Sequence, residues 1–394
     1  EKNKTMTKTI SGSVDPAFQI VAYAFAENFS ERGEIGAAFS VVIDGKTVIE
    51  IWGGERKKLS DTTKSAPWQR DTLVGFYSVG KPFAALCLLQ LIDQGTVGLD
   101  SPVCDYWPEF AENGKENVTI RHILTHQSGL PAVREKLPEG AMLNWSLMTE
   151  KLAATKPWFT PGSQSVYHTN TYGYLVSEPV RRITGLSIGE YFNQHIASPL
   201  NADVYFGVKD SDLNRIADTN WHPTGEAPDP QILELAKTAA DRMEAYSYFN
   251  PSGLSSLGVM NTPAWRQAEI PSTNGQGTAR GVANIYHVLA QGGSYDGVTL
   301  LSPELLAEAS RAQWQGLCPI LKREASFGLG FQITRPDRAF GKNPNSFGHF
   351  GSGGSLGFAD PDLKLGFGSV INDVIPRWQS DRNKALLESL YECV

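Results

Sequence analysis

The sequence predicts an α+β protein in which helices flank an antiparallel sheet and a mainly helical domain is inserted. Strand-like runs and a helix open the chain of 394 residues, and further strands and a helix close it. Between them lies a largely helical block with Pro- and Gly-rich loops. Short turns between neighbouring strands indicate antiparallel pairing. We therefore expect residues 1–75 and 281–394 to form one discontinuous α/β domain and residues 76–280 a helical domain.

The first elements are a helix and a hairpin. Residues 16–32 have apolar positions at helical spacing, which predicts an amphipathic helix. Residues 37–43 and 46–52 are strand-like and flank Asp44-Gly45. Because Asp-Gly readily takes the positive φ angles of a type I′ turn, this pattern predicts a β-hairpin.

The helical block begins with a largely apolar helix over residues 82–94, which ends at Gly95. Pro82 disfavours α geometry at Lys81, so we expect the regular helix to begin at Pro82 and a tight turn to precede it. Further helices are predicted over residues 118–126, 172–183 and 230–246.

The C-terminal part contains several strand-like runs and a closing helix over residues 379–392. The predicted strands are residues 328–333, 346–350, 355–359 and 365–371. Together with the opening strands they would complete the sheet. A cleft between this sheet and the helical block is a favoured place for a small-molecule site.

Composition excludes several classes of function. The formal net charge of -7 gives no electrostatic basis for binding nucleic acid. No run approaches the ~20 apolar residues that span a bilayer. The four cysteines have no zinc or redox spacing. The expected partner is a small molecule, while the oligomeric state and the compartment, cytoplasmic or secreted after removal of a signal peptide, stay open.

The motif that indicates chemistry is S-x-x-K, formed by Ser78 and Lys81. A serine hydroxyl needs a base to become a nucleophile, and a lysine three residues later lies on the same face of a helical turn. Burial would lower the pKa of that lysine so that it can act as the base. The N–H of Ser78 at a helix start could also bind an oxyanion. Alone, the motif is also typical of a capping serine followed by a solvated lysine.

Three longer runs carry a family resemblance. They are VTIRHILTHQSGLP at 118–131, YHTNTYGYLV at 167–176 and GHFGSGGSLGFADP at 348–361. With the stretch from residue 77 to residue 110, they occur in the order found in the class C β-lactamase-related carboxylesterases, the family VIII esterases. The sequence resembles this family of the penicillin-binding-protein superfamily over residues 77–361. The resemblance implies a β-lactamase/transpeptidase-like fold.

The resemblance also implies a catalytic set: Ser78, Lys81 and a tyrosine from the helical lobe, a position that Tyr167 fits. Either Lys81 or Tyr167 could be the principal base. The family pattern Tyr-x-Asn is not kept here. Either Thr169 takes the place of the Asn, or the register slips by one to His168 and Asn170. We favour Tyr167.

A second departure concerns the C-terminal strand. Most β-lactamases have Lys-Thr-Gly there, whereas this chain has His349-Phe350-Gly351. The missing lysine would grip a substrate carboxylate, and a neutral or partly charged histidine suits an uncharged ester better. We expect a backbone N–H near Ser352 to complete an oxyanion hole with the N–H of Ser78.

These features predict a serine carboxylesterase that hydrolyses short-chain or aryl esters through an acyl-enzyme on Ser78, with no metal and no cofactor. Alternatives on the same fold are a β-lactamase or D,D-peptidase, an acyltransferase, and a catalytically inactive binding protein. Ser355 lies in a G-x-S-x-G pattern, but no histidine follows it, as an α/β-hydrolase would require. His122 and His126 are expected to be structural.

Overall fold

The computed structural model describes residues 10–221, 231–254, 257–375 and 379–394. The strands are β1 (Ile10–Val14), β2 (Gly36–Ile43), β3 (Lys46–Gly54), β4 (Val74–Gly75), β5 (Val204–Tyr205), β6 (Asn220–Trp221), β7 (Gln276–Gly277), β8 (Ser294–Tyr295), β9 (Val298–Thr299), β10 (Trp314–Cys318), β11 (Arg323–Phe327), β12 (Gln332–Ile333), β13 (Phe347–Phe350), β14 (Leu356–Asp360), β15 (Leu365–Ile371) and β16 (Asp373–Val374). The α-helices are α1 (Gln19–Glu31), α2 (Gly80–Asp93), α3 (Ile120–Leu124), α4 (Trp145–Ala154), α5 (Tyr172–Thr184), α6 (Ile188–Phe192), α7 (Ile232–Leu235), α8 (Ala239–Phe249), α9 (Leu257–Met260), α10 (Pro263–Gln267), α11 (Ala279–Ala290), α12 (Pro303–Ala309) and α13 (Asp381–Tyr391).

The main sheet joins both ends of the chain. Its strand order is β1-β3-β2-β15-β14-β13-β12-β11-β10, and every neighbouring pair is antiparallel. The predicted antiparallel sheet flanked by helices is therefore confirmed. The domain boundaries stay a prediction, and α11, which begins two residues before the expected boundary at 281, packs against the sheet.

Alternation along β15 explains how helices cover both faces of the sheet. A Cβ added at Gly366 or Gly368 would lie 2.3 Å or 2.2 Å from a backbone oxygen of α11, so these glycines let the helix pack directly on the strand. On the opposite face, Ile371 lines a small cavity with Phe25 of α1 and Leu386 of α13. The core thus lies on both sides of the central strands.

The N-terminal predictions hold in detail. Asp44 and Gly45 have φ angles of 45° and 83°, and Ile43 pairs with Lys46 across the turn. The predicted helix over residues 16–32 is α1, preceded by a 3₁₀ turn at Pro16–Phe18. At the other end of the helical block, α5 ends at Thr184, and Gly185 follows in a left-handed conformation, as its position predicted.

The prediction that the helix of the S-x-x-K motif begins at Pro82 is wrong. Helix α2 begins at Gly80 and directly follows a 3₁₀ turn at Tyr77–Val79. Pro82 is the third helical residue, and N–H groups of the first turn have no acceptor within the helix, so its missing donor costs nothing there. Helix α2 is buried along most of its length and packs on α5 and α6.

Other differences concern weakly patterned segments. Two helices, α7 and α8, replace the single helix predicted over residues 230–246, and residue 230 lies outside the described residues. Only Gln332–Ile333 of the strand predicted over residues 328–333 is extended. Strands β1, β10 and β11 were not predicted, because they lie at or near the sheet edges, where burial does not impose a clean alternation; Leu317 of β10 is 62% exposed.

Across the described ranges, no helix combines the length and the apolar character needed to cross a lipid bilayer.

Candidate active site

Ser78 lies in the 3₁₀ turn that leads into α2, where strand β13 contacts the turn. The preceding residue, Tyr77, has a φ of 51°, a left-handed conformation that is unfavourable for an aromatic residue. This conformation gives a sharp entry into the helix and turns Ser78 toward a cavity, with 8% of the residue exposed. Strain of this kind is often retained at functional sites.

Lys81 contacts the serine from the first turn of α2. Its Nζ lies 2.9 Å from the Oγ of Ser78 and 3.0 Å from the carbonyl oxygen of Ser272. The side chain is fully buried, and burial lowers the pKa of the Lys81 amine well below its usual value. The neutral amine, which can accept a proton, is therefore favoured at this position.

Tyr167 approaches the same oxygen from the loop between α4 and α5. Its hydroxyl lies 2.7 Å from the Oγ of Ser78, and the Nζ of Lys81 is 4.8 Å from the centre of its ring. Burial raises the pKa of the Tyr167 phenol, an effect that the hydrogen bond to Ser78 and the positive charges of Arg338 and Arg323 only partly offset. The neutral phenol is therefore favoured at this position.

The position of Tyr167 is fixed by backbone contacts between two loops. The N–H of Val166 donates to the carbonyl of His126 over 2.9 Å, and the N–H of His168 donates to the Nδ1 of His126 over 2.9 Å. The imidazole of His126 also lies 5.2 Å from the Tyr167 ring, centre to centre. His126 is therefore a structural residue, as expected, and it holds the segment that carries the phenol.

The alternative register at His168 and Asn170 does not reach the serine. His168 is buried, donates from Nδ1 to the carbonyl of Val166, and accepts at Nε2 from Ser128 over 2.7 Å. Burial lowers the pKa of His168 to about 3. Asn170 bonds to the Ser247 carbonyl and to Thr273, away from the cavity. Thr169, in contrast, lines the cavity beside Tyr167.

Gly351 and Ser352, which follow strand β13, line the same cavity as Ser78. The N–H of Gly351 donates to the carbonyl of Ser355 over 2.8 Å, so it continues the sheet ladder and is not free for a ligand. The N–H groups of Ser352 and Ser78 donate to no backbone acceptor in the described chain. Both residues line the cavity, which suits an oxyanion hole made of these two donors.

Gly351 is held close to the nucleophile turn. A Cβ at this position would lie 2.6 Å from the carbonyl oxygen of Phe76. The absence of a side chain therefore lets the end of β13 approach the turn that carries Ser78.

His349 does not take the place of a substrate-gripping lysine. It is 1% exposed, its Nδ1 donates to the Phe350 carbonyl over 2.6 Å, and it is not a cavity-lining residue. Burial lowers the pKa of His349 well below its usual value. The ring lies 6.0 Å from that of Tyr167, centre to centre, so the histidine packs behind the site. The expectation that His349 contacts the substrate is therefore corrected.

The cavity in front of Ser78 has a volume of about 690 Å³. Its lining residues are Ser78, Tyr167, Thr169, Tyr248, Leu321, Arg323, Gln332, Arg338, Phe350, Gly351, Ser352, Gln379 and Lys384. Sequence reasoning missed the arginines, Gln332 and Tyr248, and it missed the Ser272 carbonyl on Lys81. None of these belongs to a spaced motif, so the sequence carried no signal for them.

The G-x-S-x-G serine, Ser355, and the histidine His122 both have structural roles. Ser355 is 1% exposed and presents its carbonyl, which accepts from Gly351. His122 completes a capping box with Thr119 at the start of α3. Both observations agree with the structural interpretation made from the sequence.

Comparison with known proteins identifies the family. The beta-lactamase family model matches residues 23–390. The chain belongs to the beta-lactamase family. It is 32% identical over 372 residues to the esterase/beta-lactamase LipL of Mycobacterium tuberculosis. The matched region covers 93% of this chain and 84% of LipL.

Two solved structures of this fold extend the comparison. A family VIII carboxylesterase superposes with a TM-score of 0.88 at 34% identity, over 98% of this chain and all of that one (100%). A penicillin-binding protein homolog from Caulobacter crescentus gives a TM-score of 0.87 at 33% identity, over 98% of this chain and 100% of the homolog. The resemblance to family VIII esterases and the β-lactamase/transpeptidase-like fold are thus confirmed.

Proposed function

We propose that this member of the beta-lactamase family is a serine carboxylesterase that works through an acyl-enzyme on Ser78. One observation carries the proposal: the Oγ of Ser78 lies within hydrogen-bonding distance of both Lys81, at 2.9 Å, and Tyr167, at 2.7 Å, at the wall of a substrate-sized cavity. The esterase relatives support the same activity. The protein is an ester hydrolase, and the roles of its residues follow from their surroundings.

Lys81 is assigned the role of base. Because burial favours its neutral amine, Lys81 accepts the hydroxyl proton as the Oγ of Ser78 bonds to the ester carbonyl carbon. The negative charge that develops on the carbonyl oxygen is held by the N–H groups of Ser78 and Ser352. This arrangement requires no metal and no cofactor.

Tyr167 is assigned the role of acid. Because burial favours the neutral phenol, Tyr167 donates its proton to the leaving alcohol oxygen as the C–O bond breaks. In deacylation, water gives a proton to the Tyr167 phenolate and its hydroxide adds to the acyl carbon. The Oγ of Ser78 then leaves and takes back its proton from Lys81, which restores all three groups.

The test measures hydrolysis of 4-nitrophenyl butyrate by the wild type, Ser78→Ala and Ser355→Ala, the last being the matched control in the G-x-S-x-G pattern. Acid-quenched wild-type protein should carry a butyryl group on the peptide that contains Ser78, by mass spectrometry. We expect Ser78→Ala to lose turnover and Ser355→Ala to keep it. Unchanged turnover in Ser78→Ala would place the nucleophile elsewhere. Nitrocefin, assayed in parallel, measures opening of a β-lactam by the same serine.

A further inference from the structure

We propose that the ester hydrolysed by this protein carries a carboxylate, which Arg323 and Arg338 bind inside the cavity. The inference rests on the proposed function and specifies its substrate class. It replaces the expectation from His349 that the site suits an uncharged ester, because the positive charge comes from other elements.

Among the described residues, the charged side chains that line the cavity are all basic. Its ionisable lining includes the guanidinium groups of Arg323 and Arg338 and the amine of Lys384, and no Asp or Glu of the described chain lines it. The chain as a whole has a net charge of -7, so a cationic cavity does not reflect a generally basic surface. A concave site lined by one sign of charge concentrates ligands of the opposite sign.

The two arginines are partly buried, and the lysine is exposed. Arg323 begins β11, and Arg338 lies in the loop between β12 and β13; both are partly buried. Lys384 projects from α13 with 53% of its side chain exposed and pairs only loosely, at 3.9 Å, with Asp381. This order allows the lysine to attract an anion and the arginines to hold it.

Both arginines are close to the reacting groups. The guanidinium of Arg338 lies 5.0 Å from the centre of the Phe350 ring, two residues before Ser352. The charges of both arginines act on the Tyr167 phenol. A carboxylate bound to them would therefore belong to the same ester whose carbonyl contacts Ser78.

The charge of Arg323 is only weakly opposed by the described side chains. Asp337, which acts on Arg323, is 57% exposed and pairs with Arg335 over 2.9 Å. Arg323 donates to the backbone carbonyl of Glu324 over 3.2 Å and forms no ion pair within the described ranges. Burial lowers the pKa of both cavity arginines, and Arg323 adds to the effect on Arg338 by repulsion. A planar carboxylate matches the paired donors of a guanidinium and would relieve this repulsion.

The same arginines could instead serve only to ease ionisation of Tyr167. That role would affect every ester equally, whereas carboxylate binding changes selectivity between charged and neutral esters. Selectivity is therefore the quantity to measure.

The experiment uses two pairs of esters. Within each pair, one ester is anionic and the other is neutral, and the two have nearly the same shape. With the carboxylate on the acyl side, mono-4-nitrophenyl adipate is compared with 4-nitrophenyl 6-methylheptanoate. With the carboxylate on the alcohol side, 3-carboxyphenyl butyrate is compared with 3-carbamoylphenyl butyrate. The kcat/KM ratio within each pair is measured for the wild type, Arg323→Gln, Arg338→Gln and the control Arg311→Gln, which removes an exposed arginine paired with Glu308 outside the cavity.

We expect the wild type to prefer the anionic ester of at least one pair about tenfold or more, because hydrogen bonds to charged groups are strong. The preferred pair identifies the side that carries the carboxylate. Each cavity variant should reduce the kcat/KM ratio within the preferred pair about tenfold, and Arg311→Gln should leave this ratio unchanged. Added salt should weaken the preference.

A wild type that prefers the neutral ester of both pairs, or cavity variants that slow both members of a pair equally, would overturn the proposal. Should a cavity variant not fold, inhibition of wild-type butyrate hydrolysis by adipate and 3-hydroxybenzoate is compared with inhibition by 3-hydroxybenzamide. Stronger inhibition by an anion supports the proposal, and equal inhibition overturns it. Ser78-dependent hydrolysis of neutral esters is expected whether or not the carboxylate is bound. Its presence or absence therefore distinguishes failure of the proposed function from failure of the carboxylate proposal.

Discussion

The hydroxyl of Tyr167 lies 2.7 Å from the Oγ of Ser78, although 89 positions separate the two residues in the chain. The Nζ of Lys81, three residues from the serine, lies 2.9 Å from the same oxygen. One contact follows from a single helical turn and the other from the packing of two loops. Together they place an acceptor and a donor of protons on one nucleophile, and the predictions below test each of these roles.

Tyr167→Phe removes the donor and keeps the ring. If the phenol protonates the leaving group, kcat for 4-nitrophenyl butyrate should fall by roughly 10²–10⁴, the usual contribution of a positioned acid or base. The far-ultraviolet circular dichroism spectrum should be unchanged. Tyr248→Phe, which removes another hydroxyl of the same cavity, is the control and should change kcat far less. Equal losses in both variants would count against a specific role for Tyr167.

The pH dependence of kcat/KM should be set by the ionisation of Lys81. Burial lowers the pKa of Lys81, and the base must be neutral, so kcat/KM should rise as pH increases through that lowered pKa and level off well before the ordinary range of lysine. Since burial raises the pKa of Tyr167, no decline should occur as pH passes the ordinary pKa of a phenol. Lys81→Arg, whose side chain stays charged, should be inactive throughout. Activity in Lys81→Arg would exclude Lys81 as the base.

Gly351→Ala should disturb the oxyanion hole. The new Cβ would lie 2.6 Å from the Phe76 carbonyl, so the end of β13 and the Ser78 turn must move apart. Loss of one oxyanion donor typically lowers kcat by roughly 10²–10³, and we expect a loss of this size with little change in KM. Gly253→Ala is the control, because a Cβ there meets nothing within 4 Å. A normal kcat in Gly351→Ala would show that the strand end is not part of the hole.

Stability should depend on pH through a buried cluster between the two ends of the chain. Arg382 contacts Glu34 at 3.1 Å and Asp373 at 2.8 Å, and all three are buried. Burial raises the pKa of Glu34 to about 8 despite the charge of Arg382. Glu34 therefore binds a proton more tightly in the folded state, and its contribution to stability is lost as pH rises through about 8.

Glu34→Gln keeps a polar side chain beside Arg382 but removes the ionisable carboxyl group. Thermal unfolding of the wild type should occur at a lower temperature at pH 9 than at pH 6, and the variant should lack much of this decrease. Glu31→Gln, at an exposed position of α1, should behave like the wild type. Parallel shifts in the wild type and Glu34→Gln would place the pH dependence in another group.

Local patterns predicted a large part of the fold. The Asp44-Gly45 turn, helix α5 with its Gly185 end, and strand β15 were found where periodicity and turn chemistry put them. Strands β10 and β11 escaped prediction, because edge strands have little burial to enforce alternation. The start of helix α2 was predicted two residues too late. Pro82 was taken as the first helical residue, whereas it is the third, and proline is tolerated within the first turn.

The sequence by itself identified Ser78 and Lys81 as a candidate pair, because residues three apart in a helical turn lie on the same face. It also determined the family, through runs of residues spread from 77 to 361. Only the tertiary structure decided that the chain presents Tyr167 and not His168 to Ser78, that burial favours the neutral amine of Lys81 and the neutral phenol of Tyr167, and that arginines line the cavity. The physical reason is that desolvation and charge act through space, so groups distant in the chain set the chemistry of each residue.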